Sequence, residues 1–214
     1  MKVAIIGASG NIGSAIRDEA LSRGHQVTAI VRHPEKITIK NPALTVMQGD
    51  VLKDNVDRIV RGHDAVISAY NPGWSNPNIA PETTQAYTAI IAGVKMAGIK
   101  RFLMVGGAGS LESSPGVQLI DTMKVPDLIR GAILALREVL YTLRKNEKEL
   151  DWVFFSPAGT IAPGQRTGKF RLGKDQVVKD ANGDSKISIQ DYAVAMIDEL
   201  EKPKHHRERF TIGY

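Results

Sequence analysis

Three glycines constrain this chain more than any other feature. Gly7, Gly10 and Gly13 lie between the apolar run Val3-Ala4-Ile5-Ile6 and a stretch, 11–23, in which Ile12, Ala15, Ile16 and Ala20 recur on one helical face. A chain leaving a buried strand must turn sharply to enter a helix, and Gly7 permits that turn. A side chain at Gly10 would hold the backbone away from an approaching anion, and Gly13 lets the helix pack closely on the sheet. The first amides of the helix then face the anion. The spacing is GxxGxxG, not the commoner GxGxxG, so the strand-helix context carries the assignment. A turn whose glycines serve packing alone is the competing reading.

Beyond residue 23 the same alternation continues. Apolar runs predict strands over 26–31, 44–47, 65–69, 100–105, 152–155, 186–189 and 209–212, and helical spacing predicts helices over 53–60, 83–97, 126–148 and 191–200. Strands separated by helices imply a parallel sheet covered on both faces, an α/β Rossmann-like doubly wound fold. The 214 residues fit one domain, 1–214. After Pro157 the pattern loosens into a Gly-rich, basic stretch, so 157–190 is expected to be a small C-terminal elaboration on the substrate side, or a lid.

Composition narrows the function. With no cysteine, disulfides, thiolate metal sites and cysteine nucleophiles are excluded. The formal charge of +5 is spread along the chain, not gathered in a stripe, so an anionic small ligand is expected and nucleic acid is not. No apolar run approaches the ~18 residues of a membrane span, and Met1-Lys2 leads into a run too short for a signal peptide. A cytoplasmic place is expected. The five histidines show no metal-ligand spacing, and no hydrolase motif stands out. Pairing as a homodimer is left open.

The end of the second predicted strand bears on cofactor choice. An NAD-preferring site wants an acid there for the ribose hydroxyls, but the chain offers Val31-Arg32-His33-Pro34-Glu35-Lys36. Arg32 suits a 2′-phosphate and can stack beside adenine, and Lys36 can add charge; NADP(H) is expected over NAD(H). Asp50, Ser68-Ala69-Tyr70, Gly106-Gly107 and Ser156-Pro157-Ala158 all follow predicted strands, where ligands of this architecture bind. In the loop after the fourth strand, Tyr70 and Trp74 are the candidate substrate contacts for a flat aromatic acceptor, with 111–123 placed to close from the other side. Arg166, Lys169, Arg171 and Lys174 could meet flavin or cofactor phosphates, or form a solvated basic loop. Asp191 is expected to cap its helix, with Tyr192 a structural residue beneath the cleft.

These residues carry a likeness that spans nearly the whole chain: GASGNIG at 7–13, VR at 31–32, QGD at 48–50, LDW at 150–152, SPA at 156–158, PGQRTGKFRLG at 163–173, ISIQDYAVAMIDELE at 187–201 and the closing RFTIGY. The chain resembles the atypical short-chain dehydrogenase/reductase proteins of the NAD(P)H-binding, NmrA-like, NADH-flavin reductase-like group, which includes flavin/biliverdin reductases. The resemblance implies NADP(H) across the strand ends. Gly7, Ser9, Gly10, Asn11 and Ile12 would surround the pyrophosphate, with Arg32 at the adenosine phosphate. Asp50 and Val51 would lie by the adenine, Ser68 and Ala69 on the ribose side, Gly106 and Gly107 near the nicotinamide, and Ser156, Pro157 and Ala158 along its far edge.

One departure matters. Ordinary members of the wider family use Tyr-x-x-x-Lys to move a proton. Tyr141 and Lys145 match that spacing, but at the far end of their helix, and the match reads as chance. No catalytic residue is assigned. Carbonyl chemistry needs proton transfer at oxygen, whereas a flavin (FMN or FAD as substrate) or a quinone accepts hydride with orientation as the main requirement. An NADPH-dependent reductase of such an acceptor is therefore expected; an NmrA-like NADP(H) sensor without turnover is the alternative.

Overall fold

Short apolar runs covered on both sides become central strands, and β1 (Lys2–Ile6) is the clearest, with Val3 to Ile6 all buried. The structure, a computed structural model, describes residues 1–214. In chain order it continues with α1 (Asn11–Ser22), β2 (Gln26–Val31), β3 (Leu44–Gln48), α2 (Val56–Val60), β4 (Ala65–Ser68), α3 (Ile79–Met96), β5 (Arg101–Val105), β6 (Glu112–Ser114), β7 (Val117–Gln118), α4 (Leu119–Thr122) and α5 (Asp127–Asn146). Then come β8 (Asp151–Ser156), β9 (Thr160–Ala162), β10 (Arg171–Gly173), β11 (Lys186–Ser188), α6 (Ile189–Glu201) and β12 (Glu208–Gly213).

Eight strands form one sheet in the order β10-β12-β8-β5-β4-β1-β2-β3. All neighbours are parallel except β10, which runs antiparallel to β12. The order reverses at β1, which pairs β2 on one side and β4 on the other, so a crevice opens beyond Ile6 and Ser68. α1 and α6 cover one face, over a core that includes Ile5, Ile16, Ile67, Phe155, Tyr192 and Phe210. α2, α3 and α5 cover the other, over Ile6, Val66, Phe102, Leu140 and Trp152. Phe155 stacks between Tyr192 and Phe210, with ring centroids 4.2 and 4.0 Å away. No helix is long and apolar enough to cross a membrane.

Differences from the sequence reading have local causes. α2 starts at Val56 instead of residue 53, because Asp50 and Asp54 hold a turn: Asp50 N donates to the Asp54 carboxylate at 2.7 Å and Leu52 N to Asp50 at 3.1 Å. α3 starts at Ile79, one turn earlier than expected. Its Pro81 falls in the first turn, where a missing N–H leaves no helical bond unmade. Ser188, not Asp191, caps α6: its hydroxyl accepts from Asp191 N at 2.9 Å.

The segment 111–123 forms the β6–β7 hairpin and α4. In α4, Ile120 N donates to Gly109 O at 2.9 Å and Ile120 O accepts from Arg130 at 3.0 Å, which ties α4 to the first turns of α5. Glu112 exchanges backbone bonds with Asp175 and Val177, and Gln118 donates to Tyr141 Oη. That end of α5 runs into the start of β8, so the hairpin lies toward the opposite edge of the sheet.

Candidate functional site

The phosphate loop separates three roles among its glycines. Gly7 has φ +80°, and a Cβ there would lie 2.6 Å from the Ala69 carbonyl oxygen. At Gly13 a Cβ would lie 2.1 Å from the Gly7 oxygen. Both are therefore demanded by the protein itself. Gly10 is not: its φ is −75°, and its Cβ would meet nothing nearer than the Gly7 oxygen at 3.4 Å. Packing within the protein does not require a glycine at position 10, which lies exposed.

Around this loop the amides of Asn11, Ile12 and Gly13 have no acceptor within the protein, and neither a capping side chain nor an acid occupies the first turn of α1. Ser9 is half-buried and Asn11 exposed, both on the crevice side, with Ile12 packed partly on the core. These features leave a helix start whose free donors and positive end can receive an anion.

Arg32 is exposed at the end of β2 and its guanidinium has no partner. Glu35, the one acid in the following turn, pairs with His33 at 3.2 Å. Asp50 stands at the end of β3, its carboxylate accepting from Leu52 N. Val51 is 4% exposed and its side chain belongs to the core, leaving only its backbone for a ligand. Ser68 is fully buried, and Ala69 is half-buried beside Gly7.

Across the switch point, Gly106 donates to Phe155 O at 2.7 Å, and a Cβ on it would enter the Phe154 ring. Ser156 donates to Gly107 O at 2.9 Å. Ser156, Pro157 and Ala158 are all buried, so they shape this wall from behind.

The two candidate acceptor residues part company. Trp74 is 58% exposed, on a loop turned by Gly73 at φ +116°. Tyr70 instead turns its ring edge-on to Tyr87 in the core, at 6.3 Å between centroids, and its hydroxyl is buried with no partner. Burial pushes the Tyr70 phenol up to about 12; Arg32 opposes that, while Glu82 and Asp50 add to it. Two of these charges, Arg32 and Asp50, lie beyond the ends of β2 and β3, and Glu82 lies in the first turn of α3.

Other sequence candidates fall elsewhere. Tyr141 sits on the exposed flank of α5, with Arg137 over its ring at 5.7 Å, and Lys145 is exposed one turn on. Because α5 leads into the start of β8, both lie toward the edge opposite the crevice. Tyr192 is fully buried and donates to Phe155 O at 2.6 Å. Arg166 is committed to Glu19 on α1 through two bonds of 2.8 and 2.7 Å, and Arg171 to backbone oxygens of Lys179 and Tyr214, so neither is a free phosphate ligand. Lys174 stands 3.5 Å from Glu208, and Lys169 is exposed. A groove of about 390 Å³ between α3 and α5, lined by Tyr87, Ile91, Met96 and Val139, lies on the outer face of the helices and away from the strand ends.

The sequence reading misses the buried Arg17 and gives the buried Asp191 another role. Arg17, on the packed face of α1, donates to Ala8 O at 3.2 Å behind the phosphate loop. Asp191 accepts from Thr167 N and Oγ1, Gly168 N and Tyr214 Oη, all between 2.6 and 2.8 Å, and so organises the basic loop. A signal existed for Arg17, which falls four residues after Gly13 on a face otherwise apolar.

The chain has relatives along its whole length. A family described as NAD(P)H-binding matches residues 7–203. YwnB of Bacillus subtilis, an uncharacterized protein by its name, is 40% identical over 215 residues, 99% of this chain and 98% of that one. A provisionally assigned epimerase from Bacteroides thetaiotaomicron is similar at 56% identity and TM-score 0.93, covering 100% of this chain and 96% of its own. A provisionally assigned NADH-flavin reductase from Streptococcus pneumoniae is similar at 36% and TM-score 0.85, covering 100% and 99%.

Proposed function

The chain belongs to the NAD(P)H-binding family, and from that premise we propose that it is an NADPH-dependent reductase passing hydride to a flavin or a similar conjugated acceptor such as a quinone. The observation that carries the cofactor choice is Arg32, exposed and without a partner where an acid would favour NAD(H). Its guanidinium would meet the 2′-phosphate with two parallel donors. The open approach at Gly10 and the unpaired amides of residues 11–13 fit the pyrophosphate.

The bound cofactor supplies the hydride; the chain supplies geometry. Gly106 and Ser156 fix the edges of β5 and β8, which sets the wall beside the nicotinamide. Trp74 offers a flat exposed face for stacking an aromatic acceptor. Tyr141 and Lys145 sit toward the far edge, and the Tyr192 hydroxyl is engaged with Phe155, so the chain brings no tyrosine-lysine proton relay to the crevice. Hydride transfer to an acceptor that needs orientation more than acid catalysis suits this arrangement better than carbonyl or epimerase chemistry. The Streptococcus relative's name supports the flavin acceptor and carries NADH, which makes the choice of nucleotide the informative arm of the test. A cytoplasmic place of action accompanies the reading.

The test is loss of nicotinamide absorbance on mixing the protein with FMN and NADPH, then NADH. Faster turnover with NADPH is expected, and Arg32→Ser should raise the Kd for NADPH about 10- to 100-fold while sparing NADH. Tight NADPH binding with no turnover on FMN or a quinone would replace the reductase with a sensor of NADP(H).

A further inference from the structure

Arg17 lies one helical turn below Gly13 on the face of α1 that packs against the sheet, and it is 6% exposed. Side chains on a helix lean toward its N-terminus, so this one points up into the back of the phosphate loop. There Nη1 donates to the Ala8 carbonyl at 3.2 Å and Nε to the Asp18 carboxylate at 2.8 Å; Nη2 has no partner in the protein. Asp18 is 53% exposed, so solvent screens what it gives the guanidinium. Glu19, the nearby buried acid, is held by Arg23 and Arg166. A nearly buried cation left with one carbonyl and one screened carboxylate is poorly compensated. Nη2 is not sealed from solvent, but the carbonyl that Nη1 holds belongs to the loop whose amides stand without acceptors.

We propose that Arg17 is a positioning residue for the pyrophosphate: it holds the Ala8 carbonyl inward, so that the loop presents amides outward, and its charge strengthens the site from behind. The inference rests on the dinucleotide reading above and adds to it a residue that serves NADPH and NADH alike. Arg32, at the other end of the nucleotide, discriminates between them.

The experiment measures Kd for NADPH and for NADH by calorimetry on the full chain, with Arg17→Met, Arg17→Gln and Arg17→Lys. Arg17→Met should raise both constants by the same factor, about 10- to 100-fold, with kcat at saturating nucleotide unchanged. Arg17→Gln keeps a donor for Ala8 without the charge and should fall between Arg17→Met and wild type; Arg17→Lys should recover most of the affinity. Wild-type Kd should also rise more steeply with salt than that of Arg17→Gln. The proposal is overturned if folded Arg17→Met or Arg17→Gln binds both nucleotides as wild type does, or loses NADPH alone. If Arg17→Met does not fold, the Gln and Lys variants decide on the same criteria. Wild-type protein that binds neither nucleotide overturns the dinucleotide reading itself and this inference with it.

Discussion

The two edges of the central sheet treat polar groups in opposite ways. At the edge where β1 and β4 end, the Arg32 guanidinium, the Tyr70 hydroxyl and the amides of residues 11–13 have no protein partner. At the edge where β5 and β8 begin, pairing is dense, with the buried Arg101 Nε left without a partner. Arg101 binds Asp151 at 2.9 Å and Glu199 at 2.7 Å, and Glu199 also accepts from Lys204 N, His205 N and the His205 ring. Leaving a buried polar group unmatched costs stability. The ion pairs hold the fold at one edge; at the other, on the reading proposed above, a nucleotide completes the open groups.

The sharpest way to break that contrast is a single methyl. Gly13→Ala puts a Cβ 2.1 Å from the Gly7 oxygen, and backbone must move. We expect a loss of about 4 kcal/mol or more, read as a collapse of the thermal midpoint, with binding lost as well. Gly10→Ala should behave differently. Its Cβ has room, so the midpoint should hold within a few degrees while nucleotide affinity falls. A Gly10→Ala protein that unfolds would show that the loop's glycines serve packing alone.

At the closed edge, Arg101→Met takes the guanidinium away from the buried Glu199 carboxylate and the half-buried Asp151. The expected cost is about 3–5 kcal/mol by denaturant titration, with Kd for NADPH unchanged. The same cluster sets a pH dependence. Burial alone would push the Glu199 carboxyl up, but the His205 amide and ring and the Lys204 amide outweigh it and hold the pKa below the usual glutamate value. The unfolded chain then binds the extra proton first, so this contribution is present above the unfolded pKa and is lost as pH falls through the lowered native one. Thermal midpoints across the acid range should fall more steeply for wild type than for Glu199→Gln.

The open edge was far more legible in the sequence than the closed one, for a physical reason. Gly7, Gly10, Gly13 and Arg32 act within one strand-turn-helix unit or at the next strand end, and local spacing encodes them. The parallel run of the strands follows from their alternation with helices, and the range expected for β2, 26–31, is the one observed. Arg101 and Glu199 are 98 residues apart, and Arg166 and Glu19 are 147 apart. Nothing in either neighbourhood announces such a partner. β6, β7, β9 and β10 have two or three residues each, too few for a period to show. Asp191 looked like a cap because aspartates favour that place; Ser188, three residues earlier, holds it instead.

Asp191→Asn tests the stretch between the two edges. Burial would raise this carboxyl, yet the Thr167 hydroxyl, the Gly168 and Thr167 amides and Tyr214 hold it below the usual aspartate value. The amide side chain keeps the shape but offers a single acceptor oxygen. A loss of about 1–3 kcal/mol is expected, with faster hydrogen exchange at Thr167 and Gly168 and little change at the phosphate loop. Exchange rising equally at Gly7 to Gly13 would show that the basic loop and the nucleotide site are one unit, not two.

The smallest effect should come from Tyr70→Phe, and its sign is the point. In the free protein the hydroxyl is buried without a partner, so removing it relieves a desolvated group and should leave stability unchanged or raise it by up to about 1 kcal/mol. The ring keeps its edge-on packing with Tyr87. If the open edge is open because nucleotide completes it, the variant should also gain less thermal stabilisation from saturating NADPH than wild type does. A side chain facing the acceptor would give another pattern: equal stabilisation by NADPH, with KM for the flavin raised. A variant less stable than wild type without nucleotide would mean that the hydroxyl already has a partner, such as an ordered water, and that this part of the edge is closed after all.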